Sequence, residues 1–260
     1  MKAAQKYNID VIWASVWTHG SASYHTSLCG LNLFAEFMYN DDNIVARTKE
    51  NFEFMTKGNY DAMMDMSQFH NILDGRKYEN WWDKYKGKRF LFQDLMAGVG
   101  DYDLDLQPMA EHYRKYADKL ATYINSDDGF WNKHYIRTKI IFEILVIKCE
   151  IGENLRSIYA ADDRTALAEI ADVKIPKLQE YMRKLREMEL EYWYSHHKPQ
   201  GGEMIDIRLS GLIGRAETVA KRINKYLDGE ITELPEIEQD RLYFSSIQSE
   251  AFTRITSMGC

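Results

Sequence analysis

Cysteine is nearly missing: Cys29, Cys149 and Cys260 are the three in 260 residues. An odd count without CxxC spacing excludes a disulfide framework and a thiolate metal cluster, and points to a reducing interior, the cytoplasm. Basic excess is missing too, since 33 Lys and Arg face 40 Asp and Glu for a net charge of -7. With no basic face to release counterions, nucleic acid and anionic membrane surfaces are excluded as principal partners. The opening MKAAQKYNID has no apolar signal core, and the longest aliphatic stretch, Ile140 to Ile147, is broken by Glu143 and too short to span a bilayer. Proline is scarce, with four residues, which suits long helices because proline interrupts a helix interior. What is abundant is core material: 45% hydrophobic and 13% aromatic residues exclude intrinsic disorder and give one or two domains.

The periodicity is helical. Leu178, Tyr181, Met182, Leu185, Met188 and Tyr192 recur at steps of three and four, with Lys184, Arg186 and Glu187 between them. Ile136, Ile140, Ile144, Ile147, Ile151, Leu155 and Ile158 follow the same rule over six turns. A third long helix is expected from Ile205 to Leu227, with Leu209, Leu212, Ile213, Ala216, Val219, Ala220 and Ile223 inward and a stop at Gly229. Gln107 to Asn125, opened by Pro108, reads as another helix, and Asp127, Asp128 and Gly129 break the chain after it. Ser21 to Tyr39 and Asp42 to Thr56 read as shorter helices, the second with Ile44, Phe52 and Met55 as its apolar face. The fold class is mainly α, an antiparallel helical bundle joined by short polar turns.

Two stretches depart from that pattern. IDVIWASVW, Ile9 to Trp17, is a β-branched apolar run of strand length. Gly75 to Asp105, rich in Tyr, Trp, Gly and Asp without a period, reads as an ordered loop packed by its aromatics.

Chemistry-bearing motifs are few. His196 and His197 are adjacent and belong to no HxxxH pattern, so no metal is expected, and His112 and His134 read as ordinary helix residues. There is no GxSxG elbow and no GxxxxGK[ST] loop, and Gly201-Gly202 runs into the acidic Glu203, a poor phosphate cradle. No cofactor is implied. Asp101, Asp103 and Asp105 alternate as in a solvated loop edge. The segment YSHHKPQGGEMIDIRLSGLIGRAETVAKRI feeds a turn into a helix that begins with Glu203, Asp206 and Arg208. The acids suit the positive end of the helix dipole. Arg208 is placed to pair with either acid or with a carboxylate on a neighbouring element. Ser210, Gly211 and Gly214 leave room for another helix or chain to approach, which makes Glu203, Asp206 and Arg208 structural or interface candidates.

At this segment a resemblance enters. WYSHHKPQGGEMIDIRLSGLIGRAETVAKRINKYLDGE resembles the C-terminal helical region of a branch of the family-20 glycoside hydrolases, the β-N-acetylhexosaminidases. There a Trp-containing helix, an Asn/His-Lys-Pro-x-Gly-x-Glu turn and an Asp-x-Arg-x-x-Gly helix follow one another. KYKGKRFLFQDLMAG is similar to the family's Tyr/Phe-x-Asp stretch, and VWTHGSASYHTSLCGLNLFAEFMYN to the end of its last barrel strand with the following helix.

The resemblance implies that residues 1–40 are the end of a (β/α)8 barrel and residues 41–260 a C-terminal α-helical domain. Ile9 to Trp17 is then the last barrel strand, a short N-terminal strand left over from the barrel. Trp17 and His19 become remnants of a substrate-binding edge at the barrel mouth. After that Trp the family carries Gly-Asp-Asp/Asn-Gly-x-Glu, whereas this sequence has Thr18, His19, Gly20, Ser21 and Ala22. The family's adjacent Asp and Glu, which orient the substrate acetamido group and act as acid and base, belong to the fourth strand, ahead of Met1. The expectation is a fragment or truncated relative, without a catalytic residue and inactive as an isolated chain. Its expected partners are an N-acetylhexosamine-containing glycan, a chain carrying the missing barrel, or a second copy. An orphan apolar strand calls for a partner, so Val11 to Val16 is expected to pair with another copy or to pack under the helices. The other reading is a helical interaction or carbohydrate-binding module, with Trp81, Trp82, Trp193 and Tyr194 as stacking platforms.

Overall fold

In the computed structural model, residues 6–7, 9–15, 27–39, 42–69, 86–96, 106–125 and 129–240 are described. They form helices α1 (Leu28–Tyr39), α2 (Ile44–Thr56), α3 (Tyr60–Met66), α4 (Lys86–Phe92) and α5 (Leu106–Tyr123). Then come α6 (Phe130–Ala160), α7 (Arg164–Glu169), α8 (Ile175–His196), α9 (Gly202–Leu227) and α10 (Pro235–Glu238). No strand occurs among the described residues.

The long helices run antiparallel, as their cross-helix partners show. Between α5 and α6, Tyr123 meets Tyr135, Tyr113 stacks on Phe142, and Arg114 pairs with Glu150, so one number falls as the other rises. Between α8 and α9, Arg186 meets Asp206 and Gln179 Nε2 donates to the Ile213 carbonyl. Between α6 and α8, Arg137 meets Glu189 and Lys133 meets Glu191.

Helix α6 is the centre. Its isoleucines do not form one stripe with a solvated back. Ile140, Ile141, Phe142, Ile144, Leu145, Ile147, Cys149, Ile151 and Leu155 are all buried, while Ile136 and Ile158 at the ends are partly covered. A helix apolar on all sides must be surrounded, and α5 and α8 both pack along this one. Around it close Leu120, Leu167, Leu178, Val219 and Ile223, each fully buried.

Local chemistry sets the breaks. Pro176 has no N–H for the carbonyl of Asp172, four residues back, and at Ile170–Lys174 the helix widens to a π turn in which the Ile175 N–H reaches the Ile170 carbonyl. Helix α9 stops where Gly229 turns to φ 76° and the Glu230 N–H reaches back to the Lys225 carbonyl.

Three expectations are corrected. The described part of the presumed strand, residues 9–15, is not a strand and does not pack under the helices, which leaves pairing with a second copy as the one expectation still open for it. Ile9 is 54%, Val11 68% and Trp13 89% exposed. Lys86–Phe92, placed in a loop, is helical, and it buries Phe90 and Leu91 against the core. In α2, Met55 is exposed and the buried positions are Phe52 and Thr48, whose hydroxyl is satisfied by the Ile44 carbonyl at 2.7 Å.

Candidate functional site

The residues singled out in the sequence sit mostly where α8 turns into α9. Gly201 takes φ 103°, and its N–H donates to Glu203 Oε2 at 2.7 Å, closing the turn. Asp206 lies 2.8 Å from Arg186 Nε as an ion pair without hydrogen-bond alignment, and accepts from the Ser210 hydroxyl at 3.3 Å. Arg208 pairs with neither acid: its Nε is buried without a hydrogen-bond partner. Gly211 and Gly214 face open space among the described residues, none of which makes the close approach that their size allows. Trp17 and His19 lie outside the described residues, as do Trp81, Trp82 and Asp101 to Asp105.

The aromatic residues at this turn serve the turn. The Trp193 indole N–H donates to the Lys198 carbonyl at 2.9 Å, one of its faces is stacked by His197 at 4.4 Å, and Gly201 and Gly202 lie close against its edge. His196 stacks on Tyr192 at 4.4 Å in the same way. These stacks cover faces that a sugar would use. His134 is buried among Phe130, Trp131 and Tyr192, and His112 Nε2 sits 2.8 Å from the Gln68 carbonyl, with burial lowering its pKa.

Arg208 lines a cleft that sequence reasoning missed. Leu91 and Phe92 of α4, Ile141 of α6, Leu185 and Glu189 of α8, and Ile205, Arg208 and Leu209 of α9 line about 50 Å³ of space. Glu189 and Arg137 form a buried ion pair at its inner side, with side chains 4% and 6% exposed. Arg137 Nε and one terminal nitrogen both lie 2.7 Å from Glu189 Oε1. Burial pushes the Glu189 carboxyl above the ordinary range, against the opposing pull of the Arg137 charge and hydrogen bond. Glu189 reads in sequence as one more surface acid on a charged helix. Its depth becomes visible once Arg137, 52 residues earlier, is known to cross it.

The loop after α4 is held from two sides. The buried Lys148 ammonium donates to the Leu91 and Gln93 carbonyls at 2.8 and 2.5 Å, satisfying acceptors left open at the helix end. Arg215 grips Asp94 through two hydrogen bonds of 2.5 and 3.2 Å, and Asp94 also accepts from the Met96 N–H. Farther along the bundle, Asp65 accepts from Lys119 and from the Tyr123 hydroxyl, and burial with that contact pushes Tyr123 up to about 12. In the chemistry on view, carboxylates clamp helices together and none is aligned with a second acid across the cleft. The cleft itself is smaller than the roughly 300–1,000 Å³ usual for ligand pockets.

Among the described residues, no helix is long and apolar enough to cross a membrane. A family model, described as the Glycoside Hydrolase 20C C-terminal domain, matches residues 61–256, well over half of the chain. No curated protein matches the chain.

Proposed function

The chain belongs to the glycoside hydrolase 20C C-terminal domain family, and we propose that it is the noncatalytic helical part of a β-N-acetylhexosaminidase, a fragment or truncated relative that does not hydrolyse glycosides alone. The observation that supports this reading is the cleft: it is lined by one carboxylate, Glu189, which is already committed to Arg137, and it is too small for a sugar ring. Glycoside hydrolysis by the substrate-assisted route needs one acidic group to orient the acetamido group and another to move protons. In this proposal a barrel encoded by other sequence supplies both, and the helices act as its rigid support. Trp17 and His19 take part only as remnants of the sugar-facing edge. The buried thiol of Cys29 accords with a cytoplasmic setting.

Isothermal titration with N-acetylglucosamine tests the assignment of sugar recognition to the barrel. No saturable heat is expected. Saturable binding contradicts that assignment and favours a carbohydrate-binding module.

A second reading, assembly through self-association, is favoured by Ile9, Val11 and Trp13, large apolar side chains left exposed in a segment that the helices do not cover. Light scattering across a concentration series separates the two. A dimer abolished by Val11→Lys supports assembly through this segment, and a monomer at all concentrations removes that reading.

A further inference from the structure

The cleft around Arg208 combines three properties. Its walls are apolar, from Leu91, Phe92, Ile141, Leu185, Ile205 and Leu209. Its charges do not cancel, because Glu189 is neutralised by Arg137 and Asp206 by Arg186, which leaves the Arg208 guanidinium in excess. The Arg208 Nε, finally, is buried with no acceptor, and an unmade hydrogen bond at a buried donor is costly.

We propose that this cleft is a binding site for a small aliphatic monocarboxylate, whose carboxylate engages the Arg208 guanidinium and whose hydrocarbon part lies against Ile205, Leu209 and Phe92. A carboxylate matches the guanidinium fork and supplies the missing acceptor and the missing negative charge together. The space of about 50 Å³ admits a chain of a few carbons and excludes a sugar ring or a nucleotide. Inorganic phosphate would satisfy the charge but leave the apolar walls unfilled. Glu189 adds no net negative charge against the ligand, because the Arg137 guanidinium lies directly on it and the pair is neutral as a whole. The inference rests on the cleft alone and stands apart from the role proposed for the domain.

The test is an NMR titration of the full chain, with methyl groups of Ile205, Leu209 and Leu91 as reporters and sodium butyrate as the probe. Butyramide and sodium chloride at matched ionic strength are run beside it. Saturable shifts with butyrate at these methyls, absent with butyramide and with salt, are expected. Arg208→Leu is expected to weaken butyrate binding by about tenfold or more, and Arg208→Lys to retain part of it, since charge remains and the fork is lost. Shifts in the wild-type chain that rise linearly without saturation overturn the proposal, as does butyramide binding as tightly as butyrate. If Arg208→Leu folds, undiminished binding in that variant overturns it too; if it does not fold, the butyramide comparison in the wild-type chain decides.

Discussion

The Arg137–Glu189 pair offers the sharpest test of how this bundle is held together. Both side chains are nearly fully buried, and two nitrogens of Arg137 converge on one oxygen of Glu189. Burial nonetheless outweighs the attraction at Glu189, whose pKa stands above the ordinary value. Removing one partner should therefore hurt more than removing both. Arg137→Met or Glu189→Leu alone leaves a buried charge and is expected to cost about 3–5 kcal/mol. For a chain of this size that is a fall in melting temperature of roughly 6–20 °C. The double variant fills the same space with apolar atoms, keeps a side chain beside the Tyr192 ring, and should lie within about 1 kcal/mol of the wild type.

The two single variants differ in their response to pH. In Arg137→Met the contributions that lowered the Glu189 pKa are gone, so the folded value rises further above the unfolded value of about 4.3. A carboxyl raised in the folded state favours folding while it is protonated, and that advantage is lost as pH climbs through the folded pKa. This variant should be less stable at pH 8 than at pH 5.5, relative to wild type. Arg137 in Glu189→Leu stays charged throughout and the raised carboxyl is gone, so relative to wild type its loss should not grow between pH 5.5 and pH 8. Urea denaturation of the four proteins at the two pH values measures all of this. A double variant as unstable as the two single losses added together would refute the reasoning, because the pair would then be a net stabiliser.

Three further outcomes are expected. Lys148→Met should cost about 2–4 kcal/mol by orphaning the Leu91 and Gln93 carbonyls, and hydrogen exchange should quicken at residues 91–96; unchanged exchange there would show that the lysine does not hold this loop. Gly201→Ala should cost roughly 1–3 kcal/mol, since φ is 103° and the new methyl would sit 2.6 Å from Trp193 Cζ2, and the Trp193 fluorescence should change with it. For His112, burial lowers the folded pKa, so below the unfolded value of about 6.5 the unfolded chain takes up the proton first and stability falls with pH. Between pH 7.5 and 5.5 the wild type should therefore lose more stability than His112→Gln, and equal losses would contradict the assigned shift.

The long helices could be read from sequence because their apolar residues recur at helical spacing, and the Gly229 stop and the Pro108 start fall close to real boundaries. What periodicity could not give was the depth of α6. A stripe of isoleucines at steps of three and four looks the same on a half-buried helix as on a surrounded one, and Ile141, Phe142 and Leu145, off the stripe, are what reveal the difference. Lys86–Phe92 escaped because KGKRFLF is short and opens with basic residues, so its anchoring by Lys148, 57 residues away in sequence, has no local signal. The cleft was half legible. Arg208 stood out beside Glu203 and Asp206, but those acids turn to Gly201 and Arg186, and the residues that line the cleft with Arg208 come largely from three other helices. Charge alone cannot show that Arg208 is left without an acid once Asp206 has turned to Arg186 and Glu189 to Arg137.

The central claim is that these helices carry no hydrolytic machinery of their own. It is tested most directly by measuring release of the aryl alcohol from an aryl β-N-acetylglucosaminide by the purified 260-residue chain, beside a mock preparation that controls for contaminating hexosaminidase. The account predicts no release above the mock. Turnover that co-migrates with the chain through a final sizing column would contradict it, and would place an acid and a base among carboxylates assigned here to structure.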